Sequence, residues 1–151
     1  CPYFCCNNQK HAMILKHLNA AESLKKRLAY INAKYGLQIS EASLPLDDNA
    51  TLELFREGNT EGIFQFGVSG MRAYLRALRP AGLQDIEILY CLYTTPCLAK
   101  QIPVWIQYKS LGLPFYFDET AISANRRAFI ALHTVIAWKQ AYLKAHFGVD
   151  D

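Results

Sequence analysis

Three arginines at helical-turn intervals, Arg72, Arg76 and Arg79, are the first residues of this sequence with a chemistry to offer. Steps of four and three put them on one side of a helix, where guanidinium groups can neutralise phosphates without reading bases. A second basic set, Arg126, Arg127, Lys139 and Lys144, recurs along the last stretch of helical pattern. The acids are weaker candidates. Asp47 and Asp48 are adjacent, and Asp118 stands beside Glu119, but each pair precedes a helical stretch. There a carboxylate suits helix capping or the helix dipole better than a metal. Asp85 reads as a cap or a local ion pair. Cys1, Cys5 and Cys6, with His11 nearby, lack a standard zinc spacing, and no second paired half follows. His133 and His146 share one helical stretch at a separation too long for a common ligand, so a surface or partly buried place suits both. No Ser-His-Asp or Cys-His pairing can be argued from spacing, and no Walker-type glycine loop is present. Trp105, Trp138 and Tyr142 are candidate stacking rings for bases, although helical periodicity puts Trp138 in the core. The plainer reading of all the basic residues is a solvated helix face.

The elements that must carry these residues are helices. Asn19, with Glu22 three positions on, reads as a capping box opening a helix to Tyr35, closed by Gly36. Its stripe is Leu18, Ala21, Leu24, Leu28, Ile31 and Tyr35. A short helix follows near residues 49–57, capped by Asp47 or Asp48 and stopped by Gly58. Ser69 then caps a helix from Gly70 to Leu78, ended by Pro80, with Met71, Tyr74, Leu75 and Leu78 inward. Further helices span about residues 83–93 and 102–109, with the TTPC break between them and LGLPFYF after them as a loop. The last runs from about Ile122 to Phe147, with Phe129, Leu132, Ile136, Leu143 and Phe147 as its apolar stripe. Arg126, His133, Gln140 and Lys144 fall elsewhere on its surface. Between the second and third helices stands EGIFQFGVSGM, residues 61–71, whose glycines signal turns and whose residues 62–66 allow a short extended piece. The expected fold is mainly α. Residues 1–18 read as a loosely ordered segment ahead of one helical domain over 19–151.

Composition agrees. The 151 residues are 52% hydrophobic and 19% charged, which marks a foldable chain rather than a disordered one. A net charge of +3 is mildly basic, compatible with a nucleic-acid partner but too small to imply one. The longest apolar run, AFIALHTVIAW, is about half the length of a spanning helix and contains His133 and Thr134. With no signal-peptide pattern and unpaired cysteines, a cytoplasmic setting is expected. The chain opens on Cys1 and has its first methionine at Met13, which fits a piece cut from something longer.

The order of several segments carries a resemblance. PLDD ahead of a short helix, GIFQF ahead of GM, LRPAGLQDI one helix later and LY entering a proline loop run through residues 44–93. NRRAFIALHTVIAWKQAYLKAHF closes the chain over residues 125–147. Together these resemble the alpha subunit of DNA polymerase III, the bacterial C-family replicative polymerase, in its late palm and fingers. The resemblance implies a helical fingers domain taking part in DNA replication. In the intact enzyme it implies a DNA-directed DNA polymerase, a nucleotidyltransferase using Mg2+ and deoxynucleoside triphosphates. It also implies primer-template DNA and replisome subunits as partners.

The departures from the family's pattern bear on activity. Two-metal nucleotidyl transfer needs carboxylates to hold the ions, and this chain has no Asp before Asp47. Where the family carries an acidic residue and Ser after FQF, Gly67 and Val68 stand here. Where it carries an Arg-Pro-Gly-Pro loop, this chain has Thr94, Thr95, Pro96 and Cys97. The expectation is a fragment or divergent relative without nucleotidyl transfer of its own, with no catalytic residue, metal site or cofactor. Two other classes stand beside it. One is a small DNA-binding or replisome-associated module. The other is a vestigial structural domain, whose exposed apolar surface would promote self-association.

Overall fold

The computed structural model describes residues 4–148. Its described residues form seven α-helices and no strand. The chain divides into two compact units, Cys1–Leu44 and Pro45–Asp151. None of the helices is long and apolar enough to cross a membrane, among the described residues.

The first unit is built on α1, Phe4–Tyr35, followed by a 3-10 turn at Glu41–Ser43. The helix ends where the sequence predicts, at Gly36 with φ 64°, but it begins fifteen residues before Asn19, which therefore lies inside it and caps nothing. The physical reason is plain in the sequence: between Pro2 and Gly36 no glycine or proline interrupts the run, and one capping signal does not stop a helix. Leu24, Leu28 and Ile31 are buried as the stripe predicts, whereas Leu18 and Tyr35 are exposed. After the helix, Asn32 folds the chain back. Its side-chain amide donates to Ile39 O at 2.9 Å and its Oδ1 accepts from Ile39 N at 3.0 Å. Cys1 and the side chains of Cys5, Cys6 and His11 lie outside the described residues.

The second unit is assembled around α7, Ala124–Phe147. It packs on α2, Asn49–Arg56, and on α4, Leu83–Tyr93. The others are α3, Ser69–Leu78, against α2 and α6; α5, Pro96–Ala99; and α6, Ile102–Ser110. Asp48 caps α2 by accepting from Thr51 N at 2.9 Å, and Asp118 likewise caps the 3-10 turn Glu119–Ala121, as their positions predict. Ser123 caps α7 through Arg126 N. Ser69 does not cap: it is the first residue of α3, and Val68 fills the cap position without a side-chain bond.

The core is aromatic. Trp138 stacks on Phe55 at 5.9 Å, Phe55 meets Phe66 edge-on at 5.5 Å, and Phe66 meets Tyr90 at 5.7 Å. Such pairs add about 0.5–1.5 kcal/mol beyond the area they bury. The buried face of α7 is rotated from the one its apolar residues outline. Leu132 is 52% exposed, while His133 and Gln140 are buried. Both polar side chains are buried because each has a partner on the neighbouring turn. Trp105 is buried with its ring beside Phe115, so it is a core residue and not a stacking platform.

Candidate nucleic-acid interface

The segment from Gly58 to Gly67 is a run of turns, with no extended piece. Ile63 N donates to Thr60 O and Phe66 N to Ile63 O, while Thr60 Oγ1 closes the loop on Phe66 O at 2.7 Å. Gln65 stands at φ 66°, a left-handed conformation uncommon outside glycine. It sits between two rings with separate destinations. Phe66 enters the core, and Phe64 meets His133 edge-on at 5.0 Å. The backbone amide of Phe64 donates to Gln140 Oε1 at 2.8 Å. Tyr90 Oη lies 3.1 Å from His133 Nδ1. Burial pushes the Tyr90 phenol up to about 12, with Arg126 opposing the shift, so it stays protonated as the group hydrogen-bonded to the imidazole. A buried polar group without a partner costs about 1–3 kcal/mol, and here the turn and the helix satisfy each other.

The seven basic candidates divide sharply against this frame. Arg72 belongs to the turn: its Nε donates to Gly58 O at 2.8 Å and its guanidinium pairs with Glu61 at 2.7 Å. Lys144 reaches the same turn from α7, with Nζ 3.3 Å from Glu61 O and 3.4 Å from Asn59 O. Arg126 is half-buried and donates to Thr94 O. Arg127 pairs with Glu119 at 3.0 Å. Lys139 is half-buried and engaged within the fold. Arg76 and Arg79 are different. Both are exposed, Arg76 in the last turn of α3 and Arg79 at its C-cap, and their side chains make no hydrogen bond or ion pair with any described residue. Arg76 lies along Gly58, where an added Cβ would sit 2.7 Å from its Nη1 and 2.9 Å from its Cγ, so one edge of its guanidinium rests on the turn. Arg79 ends the helix at φ 49°, with its N–H donating to Leu75 O, in the place where glycine is usual. The next residue, Pro80, accepts from Arg56 Nε at 2.8 Å, so the chain leaves α3 in a fixed direction.

The acids are engaged too. Asp48 Oδ2 accepts from Thr51 and contacts His146, Asp85 accepts from Ala81 N and Lys109, and Glu53 pairs with Arg56 at 2.9 Å. Among the described residues no three of His, Cys, Asp and Glu converge as a metal cluster would require. Tyr142, the third candidate ring, is half-buried and lies 4.3 Å from the His146 imidazole.

Sequence reasoning missed Gln140 and His133 as the residues that position the turn. The available signal was their seven-residue spacing, two helical turns, which places them on one stripe with Ala137. Polarity argued against that stripe, and only the turn's unpaired amide explains it.

Residues 20–123 match the family described as "Bacterial DNA polymerase III alpha subunit finger domain". The match stops short of α7, whose YLKAHF ending forms part of the resemblance. DNA polymerase III subunit alpha of Bacillus subtilis is 33% identical over 103 residues, covering 68% of this chain and 9% of that protein. The Thermus aquaticus protein of the same name is 42% identical over 72 residues, 48% of this chain and 6% of its own length. That of Halalkalibacterium halodurans is 37% identical over 95 residues, 63% and 8%. The chain thus spans less than a tenth of the curated relatives it matches.

Proposed function

We propose a function from one premise: the chain belongs to the bacterial DNA polymerase III alpha subunit finger-domain family. Its role is to hold nucleic-acid backbone against the end of α3, through Arg76 and Arg79, as a finger-domain piece of the replication machinery. Primer-template DNA and replisome subunits are its partners, in the cytoplasm. Nucleotidyl transfer with Mg2+ belongs to the intact family enzyme and not to these 151 residues by themselves.

The observation that carries this reading is the division among the basic residues. Arg72, Arg126, Arg127, Lys139 and Lys144 are taken up by their own fold, while Arg76 and Arg79 are exposed with no hydrogen-bond or ion-pair partner for their guanidinium groups among the described residues. Arg79 does so from a left-handed position, a strain of about 1–2 kcal/mol that any helix-ending glycine would avoid. The engagement of Asp48, Asp85 and Glu61 in caps and ion pairs supports the reading that the isolated chain does not itself join nucleotides.

Binding to primed DNA, measured across a salt series, tests the assignment. Each phosphate contact contributes about 0.9 to the slope of log affinity against log salt. Replacing Arg76 and Arg79 together by Ala should lower that slope by about two with little effect on stability. Absence of binding by the unaltered chain at low salt refutes the role. Primer extension by the purified chain, lost on chelation, would refute the catalytic half.

A second reading rests on a different surface. Val104, Tyr108, Leu111, Leu113 and Tyr116 are all exposed, within α6 and the loop after it. Exposed apolar side chains favour association, so the chain self-associates through this stretch when alone. Light scattering across a concentration series reads it directly.

A further inference from the structure

We propose that α1 carries a second nucleic-acid site, one for single strands: bases stack on the exposed rings of Tyr30 and Tyr35 while Lys26 and Lys34 hold the phosphates. The site is additional to the end of α3 and does not depend on Arg76 or Arg79.

Charge points to this helix first. Residues 1–44, the first unit, hold six of the 16 lysines and arginines but two of the 13 acids. Six less two is +4, against +3 for the whole chain, so residues 45–151 sum to −1. The positive balance of the chain therefore lies in the first unit. Lys16, Lys25, Lys26 and Lys34 are exposed there, whereas Arg27 is buried. Such a concentration of like charge suits a polyanion.

The rings choose among polyanions. Lys26, Tyr30 and Lys34 recur at steps of four, so they share one face of α1. That face runs about 12 Å from the first to the last and is distinct from the buried one of Leu24, Leu28 and Ile31. Tyr30 is 56% exposed and Tyr35 48%. The Lys34 ammonium lies 5.7 Å from the centre of the Tyr30 ring and 5.3 Å from that of Tyr35, within cation–π range of both. Two rings and a charge are thus gathered into one surface cluster. The chain beyond it is fixed, with Leu37 N donating to Asn32 O at 3.0 Å and the Asn32 side chain bonding both backbone groups of Ile39. Acidic peptide carboxylates would satisfy the lysines but offer no flat face to the rings, whereas each nucleotide supplies a base and a phosphate together. Bases in a duplex are stacked on one another, so exposed rings favour an unpaired strand.

Fluorescence anisotropy of an end-labelled oligothymidylate of roughly twelve nucleotides, against an abasic oligomer of the same length, tests the site. The whole chain is used, carrying Arg76→Ala and Arg79→Ala so that the end of α3 does not contribute. The thymidylate should bind at least about fivefold more tightly than the abasic oligomer. Tyr30→Ala with Tyr35→Ala should remove that advantage, and Tyr30→Phe with Tyr35→Phe should keep it. Lys26→Gln with Lys34→Gln should weaken both oligomers and lower the salt slope by about 1.4. Equal affinity for the two oligomers, or loss of the advantage in the phenylalanine pair, overturns the assignment. So does polyglutamate that competes as well as unlabelled oligothymidylate, which would mark the face as a seat for an acidic peptide.

Discussion

Two loops of this chain have similar ingredients and opposite fates. GIFQFG, residues 62–67, and LGLPFYF, residues 111–117, both combine glycine with two phenylalanines and aliphatic neighbours. The first is locked into the second unit: Ile63 and Phe66 are buried, and Gln140 and Lys144 from α7 bond to backbone groups at and beside it. The second sends Phe115 and Phe117 inward but leaves Leu111, Leu113 and Tyr116 in water, Tyr116 at 86% exposure. Composition does not separate them. What does is whether a neighbouring helix offers a side chain to the loop's own amides, because a loop can be buried only where its backbone is satisfied. The locked loop then serves α3, with Gly58 lying under Arg76 and Gly58 O held by Arg72.

Substitutions can break this contrast, and their effects should descend in a definite order. Phe66→Ala removes the ring that joins Phe55 to Tyr90; a loss of about 3–5 kcal/mol is expected from urea unfolding. Gln140→Leu keeps the volume but orphans the amide of Phe64, for about 1–3 kcal/mol. Gly58→Ala must adopt φ 68° and bring a Cβ to 2.9 Å from Arg72 O, so it should cost about 1 kcal/mol or more. In the other loop, Leu111→Ser with Tyr116→Ser should leave stability within about 0.5 kcal/mol while lowering self-association by light scattering. If the paired serines destabilise as much as Gln140→Leu does, the two loops are not the opposites described.

Much of this was legible in the sequence, for reasons that differ by element. Helices α4 and α6 are announced by strong local breaks, Gly82 before one and Pro96 and Gly112 around the other, so their bounds agree closely with the pattern. Asp48 and Asp118 cap as their positions suggest because capping is a local interaction of two or three residues. The failures are non-local. Asn19 carries a start signal inside a helix that has no reason to stop. On α7, Leu132 is apolar yet exposed, and Gln140 is polar yet buried, because the turn 76 residues earlier supplies the missing bond. The basic residues show the same limit. Spacing groups Arg72 with Arg76 and Arg79, but Glu61 and Gly58, brought beside it by the turn, claim Arg72 and leave the other two exposed without a polar partner among the described residues.

The most direct test of the role assigned to this chain is a backbone amide shift map of isotope-labelled protein titrated with primed DNA at low salt. The account predicts that the perturbed amides cluster at the end of α3 around Arg76 and Arg79, with residues 111–117 unmoved. Shifts centred on residues 111–117, or none at saturating DNA, would contradict it.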